Sequence, residues 1–112
     1  MNIKVEKMKI YILKKSLSSL KTPIERKEYS TQALTVREFI SEMVERNYKA
    51  RPIDCPLEEC ANLALDDFSD GCFYIVNVTQ DVKYVDLDEK LNLCEEDEIM
   101  LVKLKYVRGI IW

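Results

Sequence analysis

The sequence predicts an α+β fold: a mixed sheet of four to five strands, a main helix on one face of the sheet, and an inserted second helix. Three patterns support this prediction. Apolar and polar residues alternate near the start of the chain, apolar residues then recur twice at helical spacing, and strand patterns return from residue 73 onward. Because the chain has only 112 residues, we expect residues 1–112 to form a single domain.

The first two predicted strands form a hairpin. Residues 3–14 alternate apolar side chains with lysines, which is the period of a strand. Pro23 precedes a second predicted strand from Ile24 to Tyr29, which we place at a sheet edge because proline and charge are tolerated there. Residues 15–22 are polar and serve as the connecting loop.

The main helix has the clearest local signal in the chain. Thr35 and Glu38 have the spacing of a capping box, and Leu34 and Phe39 have the spacing of a hydrophobic staple. A stripe of apolar residues then follows helical spacing, which predicts a buried face: Val36, Phe39, Ile40, Met43 and Val44. We expect this helix to end near residues 47–49.

Residues 50–72 are predicted to be a helical insertion. Two prolines interrupt the pattern before Pro56, which we expect at the first position of a second helix. Ser69, Asp70 and Gly71 mark its end. Its apolar residues again recur at helical spacing: Leu57, Cys60, Ala61, Ala64, Leu65 and Phe68.

Three further strands are predicted after the insertion. Phe73 to Val78 and Val82 to Val85 form a short hairpin, and an acidic connection follows at residues 86–98. The last strand is predicted from Ile99 to Val107. Its start is apolar on both faces, which is typical of a central strand.

A hairpin, a main helix and an apolar final strand together predict a β-grasp arrangement. In this arrangement the first and last strands run parallel in the middle of the sheet, and the helix covers one face. The competing ferredoxin-like arrangement needs each helix between strands. Here both predicted helices fall in the same gap between strands.

Several segments resemble ubiquitin-like proteins. The start of the main helix, the short hairpin with its leucine-pinned turn and the acidic bend are similar to the sulfur carriers of molybdopterin and thiamine synthesis. Residues 101–109 resemble the last strand and tail of ubiquitin. The segments that carry the first resemblance are Thr35-Val36-Arg37-Glu38-Phe39-Ile40, Val76-Asn77-Val78, Val85-Asp86-Leu87-Asp88-Glu89-Lys90-Leu91 and Glu96-Asp97-Glu98-Ile99.

The C-terminal tail, residues 108–112, departs from that family. The resemblance implies a flexible Gly-Gly end that is adenylated at its carboxylate by an activating enzyme. This chain ends instead in Arg108-Gly109-Ile110-Ile111-Trp112, with one glycine and three bulky residues after it. Two interpretations stay open: the tail packs on the body or a partner, or a peptidase cuts after Gly109.

We therefore expect a non-catalytic, ubiquitin-like protein-interaction domain, an adaptor or a small subunit. The alternative is a ubiquitin-like modifier or sulfur carrier precursor, activated at Gly109 after removal of the last three residues. The partner is expected to be a protein, or a second copy of the chain bound through the apolar tail, in which Trp112 would be the anchor.

Composition argues against several other functions. The chain has no histidine, which excludes Ser-His, Cys-His and His-metal chemistry, so we assign no catalytic, cofactor-binding or metal-binding residues. The lysines of the first strand alternate with apolar residues, which is not typical of nucleic-acid binding. No apolar run is long enough for a membrane helix, and the charged start is not a signal peptide, so a cytoplasmic location is expected.

The cysteines and the acidic residues leave two weaker hypotheses. Cys55 precedes a helix N-terminus, which lowers a thiol pKa and would suit a small redox protein, although an ordinary loop thiol is the alternative. Cys72 and Cys94 are predicted to be small core residues. The run 95–98 is interpreted as a solvated bend, with cation or basic-partner binding as the alternative.

Overall fold

A computed structural model describes residues 7–16 and 26–112 of the chain. These residues form five strands in one sheet with the order β2-β1-β5-β3-β4. Strands β1 and β5 pair in parallel at the centre, and the other neighbours pair antiparallel. The predicted β-grasp arrangement in the α+β class is confirmed. The elements are β1 (Met8–Ser16), β2 (Arg26–Thr31), α1 (Val36–Ala50), α2 (Leu57–Ser69), β3 (Phe73–Asn77), β4 (Val82–Tyr84) and β5 (Glu98–Lys103).

The core lies between the sheet and the two helices. Alternate side chains of the three middle strands point toward the helices, and six of them are buried there: Ile10, Ile12, Phe73, Ile75, Ile99 and Leu101. The predicted α1 stripe is buried against them along its whole length. The apolar side chains that repeat every two residues along the strands and every 3.6 residues along the helix therefore pack together in one layer.

The start of α1 differs in detail from the sequence prediction. The Thr35 hydroxyl accepts a hydrogen bond from the Glu38 backbone N–H at 3.3 Å, as expected. The Glu38 carboxylate reaches one residue further back and accepts from the Leu34 N–H at 3.1 Å. Leu34 is 72% exposed, so the predicted staple with buried Phe39 is wrong. The Leu34 carbonyl instead accepts from the Leu91 N–H, which ties the backbone here to the 90–93 loop.

The insertion forms α2 at one residue's offset from the prediction, because Pro56 is the N-cap and Leu57 the first helical residue. The helix packs beside α1 and buries Cys60, Ala64 and Phe68 of the predicted stripe. It also buries Asp67, which was not in that stripe.

The strand ends also differ from the sequence prediction. β1 continues to Ser16 and β2 to Thr31, while the predicted positions 3–6 and 23–25 lie outside the described residues. β5 ends at Lys103 and not at Val107. The reason is that β3 begins at Phe73, opposite Lys103. Beyond that point the N–H groups of Leu104 and Lys105 both donate to the Cys72 carbonyl, and the chain turns out of the sheet. Within residues 7–16 and 26–112, neither helix is long and apolar enough to span a membrane.

Candidate functional site

The C-terminal tail is held to α2 by one buried carboxylate. Asp67 is 1% exposed, and it accepts hydrogen bonds from the backbone N–H groups of Arg108 at 2.7 Å and Gly109 at 3.0 Å. The Arg108 Nε donates to the other carboxylate oxygen at 2.8 Å. This hydrogen bond and the charge of Asp67 raise the pKa of Arg108. A buried acid is thus neutralised and satisfied by the C-terminal tail.

Gly109 lies in van der Waals contact with the α2 backbone. A Cβ added at this position would stand 2.6 Å from both the Cβ and the backbone nitrogen of Ala64. Gly109 and Ala64 are therefore both small, because the tail backbone approaches the helix backbone closely at this point. Gly109 is buried, and it is not a freely exposed glycine.

The residues after Gly109 also pack on the body of the domain. The Asn47 side-chain amide of α1 donates to the Ile110 carbonyl at 2.5 Å. Ile111 is completely buried within the core cluster. The Trp112 ring meets Phe73 edge to face, with 5.7 Å between ring centroids, and the Lys103 ammonium lies 5.6 Å from the Trp112 ring. All five tail residues are brought together between α1, α2 and the start of β3.

Sequence reasoning missed Asp67, although a signal for it was present. Asp67 follows Ala64 by three positions and Cys60 by seven, so it falls on the buried stripe of α2. An acid at such a position needs a hydrogen-bonding or charged partner, because an unpaired buried carboxylate is costly. The sequence pattern alone did not indicate that its partner lay 41 residues away in the tail.

Cys55 does not have the environment expected of a reactive thiol. Hydrogen bonding with Cys60, followed by burial and the charge of Glu59, raises the pKa of Cys55 to about 11. Its Sγ lies 3.7 Å from the Pro56 carbonyl. The prediction that Cys72 and Cys94 are core residues is wrong for Cys94, which is exposed, and Cys72 is half-buried.

The acidic connection that leads into β5 is held by ion pairs with basic residues of the neighbouring strands. The Lys9 ammonium pairs with Glu96 at 3.4 Å, and Arg26 pairs with Glu98 at 3.2 Å. Within this segment Asp97 is 2% exposed. Its carboxylate accepts from the Cys94 N–H at 2.9 Å.

The Asp97 carboxylate also organises the adjacent β3–β4 hairpin. It accepts from the side-chain amides of Asn77 at 2.9 Å and Gln80 at 2.6 Å. Burial raises the pKa of Asp97, but the hydrogen bonds from Cys94, Asn77 and Gln80 outweigh burial and hold the pKa below its usual value. Over the described ranges, 7–16 and 26–112, no group of three or more Cys, Asp or Glu side chains is placed to hold a metal ion.

The sheet face opposite the helices carries an apolar surface that we call the helix-free patch: Leu13, Tyr74, Val76, Met100 and Val102. The pairing register places Leu13, Met100 and Val76 side by side on β1, β5 and β3. Val102 is 4% exposed, and the other four side chains are half-buried.

Cations lie on aromatic rings beside this patch. The Arg26 guanidinium stands 3.6 Å from the centre of the Tyr11 ring, and the Lys83 ammonium stands 4.6 Å from that of Tyr74. Such contacts fix positive charge at the border of an apolar surface.

Comparison of the chain with models of protein families, with curated proteins and with solved structures found no match in any of the three.

Proposed function

We propose that this protein is a non-catalytic, ubiquitin-like protein-interaction domain, an adaptor or small subunit that binds a protein partner through the helix-free patch. The observation that carries the proposal is the row of Leu13, Met100 and Val76 across three neighbouring strands. Apolar side chains on an open sheet face are typical of a surface that another molecule covers. The bordering Lys83, whose ammonium lies on the Tyr74 ring, favours a partner whose contact surface is apolar at its centre and acidic where it meets Lys83.

The docked tail supports this proposal over the alternative of a modifier or sulfur carrier. Activation at Gly109 requires the tail to leave its site, so that an enzyme can reach the backbone. Leaving breaks the two backbone hydrogen bonds to Asp67 and uncovers Ile111. A tail with these contacts acts as part of the core and is poorly suited to threading into an activating enzyme.

The mass of the protein from its native cells tests the choice between these functions. An intact chain that ends at Trp112 supports the interaction domain. A chain that ends at Gly109, alone or joined to another protein, would favour the modifier.

Matched variants test the patch itself. Met100→Gln keeps a side chain of similar length on the patch and makes it polar, whereas Val85→Ser changes a residue that is 75% exposed outside the patch. We expect Met100→Gln to abolish recovery of a native partner that wild type and Val85→Ser both retain. Equal recovery with all three proteins would count against binding through this face.

A further inference from the structure

Two cysteines, Cys55 and Cys60, meet at the start of α2. Pro56 is the N-cap of this helix, so Cys55 stands one residue before the cap and Cys60 four residues after it. Side chains at these two positions pack against each other at many helix starts, as in the hydrophobic staple. In this chain the pair consists of two thiols, and neither is part of a disulfide.

The carbonyl oxygen of Pro56 is a contact that the two cysteines share. The Cys60 backbone N–H donates to this oxygen at 3.1 Å, and the Cys55 thiol donates to the same oxygen at 3.7 Å. The Cys55 side chain therefore folds over the first turn of α2, toward Cys60. Hydrogen bonding between the two thiols is also the largest cause of the raised pKa of Cys55. Such contact is the geometric requirement for a disulfide.

The two thiols differ in their access to solvent. Cys60 is 2% exposed and belongs to the core cluster, whereas Cys55 is half-buried and can be reached by small molecules. This arrangement suits a two-step reaction, in which the accessible thiol forms a mixed disulfide and the buried thiol resolves it.

Other pairings and ligands fit these cysteines less well. Cys72 directly precedes β3, and Cys94 lies beside Asp97 at the other end of that strand, so these two thiols do not form a second pair. A zinc site needs three or four protein ligands. Within residues 7–16 and 26–112, no group of three or more Cys, Asp or Glu side chains is placed to hold a metal ion.

We propose that Cys55 and Cys60 form a reversible disulfide by exchange with a low-molecular-weight disulfide of the glutathione class. The Cys55 thiolate attacks one sulfur of the external disulfide, whose S–S bond breaks and releases one thiolate. The Cys60 thiolate then attacks the Cys55 sulfur, the mixed S–S bond breaks, and the second small thiolate leaves. The two protons of the protein thiols pass to the released thiolates. The protein pair is thereby oxidised, and the external disulfide is reduced to two thiols.

The new bond fastens the residues before α2 to the first turn of the helix. The N-cap Pro56 makes no side-chain capping hydrogen bond, so the start of α2 lacks one of the usual constraints on a helix end. A disulfide between positions 55 and 60 supplies a covalent constraint instead. The raised pKa of Cys55 keeps the first exchange slow at neutral pH, so the pair responds to a sustained change in the thiol–disulfide pool.

Equilibration of the full chain with mixtures of oxidised and reduced glutathione tests the proposal. Samples at about pH 8 are quenched with acid, free thiols are alkylated, and the unreduced protein is digested with a protease that cuts after glutamate. Cleavage after Glu58 and Glu59 separates Cys55 from Cys60 unless a disulfide joins them. Wild type should give the joined peptides. The equilibrium constant for the bond should fall by about tenfold or more in concentrated urea, because folding holds the two thiols together.

Three variants assign the steps to the two thiols. Cys55→Ser should give no joined peptides and should leave Cys60 free of glutathione, because Cys60 is buried. Cys60→Ala should retain glutathione on Cys55, because no second thiol displaces it. Cys94→Ser is the matched control: it removes an exposed thiol outside α2 and should form the bond as wild type does. Cys55→Ser changes a residue that is only half-buried, so it tests the proposal independently of the stability of Cys60→Ala.

Three results with the wild-type protein would overturn the proposal. The first is glutathione on Cys94 while Cys55 and Cys60 are both recovered free, which would make the pair a simple apolar contact. The second is glutathione that stays on Cys55 without joined peptides. The third is an equilibrium constant that is the same in urea as in the folded protein, which would make the bond a consequence of sequence spacing alone. None of these results bears on the helix-free patch, which the Met100→Gln experiment tests through recovery of a partner.

Discussion

Replacing Asp67 with alanine should release the C-terminal tail from α2. The change removes the acceptor of the Arg108 and Gly109 backbone N–H groups and the partner of the Arg108 side chain. A hydrogen bond to a charged group contributes about 1.5–3 kcal/mol, so the two backbone bonds contribute roughly 3–6 kcal/mol. Removing a buried carboxylate also relieves its desolvation, which offsets part of this amount. We expect a net loss of about 2–4 kcal/mol in the free energy of tail docking.

Amide hydrogen exchange measures this loss directly. Exchange at Arg108 and Gly109 should accelerate by about 30- to 700-fold, since each 1.4 kcal/mol corresponds to a factor of ten. Trp112 is the only tryptophan of the chain and packs on Phe73. Its fluorescence should therefore report tail release at a lower urea concentration than the helical circular dichroism signal reports unfolding.

Asp66→Ala is the matched control, because Asp66 is the exposed neighbour on the same helix. It should leave both measurements close to wild type. Asp67→Asn should give an intermediate result, since the amide retains one acceptor oxygen. If the tail amides of Asp67→Ala stayed as protected as those of Asp66→Ala, the account of Asp67 as the anchor of the tail would be wrong.

Three further predictions concern the tail, the acidic connection and the state of association. Gly109→Ala should lower the free energy of unfolding by about 1–3 kcal/mol, because the added methyl group is overpacked against Ala64. Gly71→Ala is the control and should cost only about 1 kcal/mol, because space is open there and only the φ of +75° is unfavourable. Equal urea midpoints for Gly109→Ala and wild type would contradict the close approach of the tail to α2. The lowered pKa of Asp97 contributes stability that is present above the ordinary carboxyl pKa of about 3.9 and is lost as pH falls through the lower folded value. Urea titrations between about pH 6 and 2.5 should therefore show a smaller acid-induced loss of stability for Asp97→Asn than for wild type. Parallel curves of stability against pH for the two proteins would refute this prediction. The double variant Leu104→Ser/Tyr106→Ser changes two exposed residues just before the tail. If copies of the chain associate near this end, light scattering should give a lower association state for the variant than for wild type. Removing residues 110–112 is a poorer test, because Ile111 belongs to the core.

The extent of the helices and the face each one buries follow from local pattern. Capping of α1 by the Thr35 hydroxyl could be predicted, because it depends only on the spacing between Thr35 and Glu38. The buried sides of the helices could be predicted from the spacing of their apolar residues. The order of elements, with both helices in one gap and an apolar last strand, was enough to predict a sheet with β1 and β5 parallel at its centre.

Other features depended on which segments meet in space. The end of β5 is set by where β3 begins, so an apolar alternation that continues to Val107 was misleading. Leu34 is exposed because its carbonyl pairs with a loop more than 50 residues later. Cys94 is exposed because its backbone serves a turn around Asp97.

The sequence by itself determined the order of the helices and strands and the fold class, because these depend on side-chain periodicity within a few neighbouring residues. Only the tertiary structure decided that Asp67 holds the tail and that the Leu34 carbonyl accepts a hydrogen bond from Leu91. Both arrangements join residues 41 or more positions apart. These residues pair because they lie close together in the folded molecule. The periodicity of side chains along the sequence carries no information about such distances.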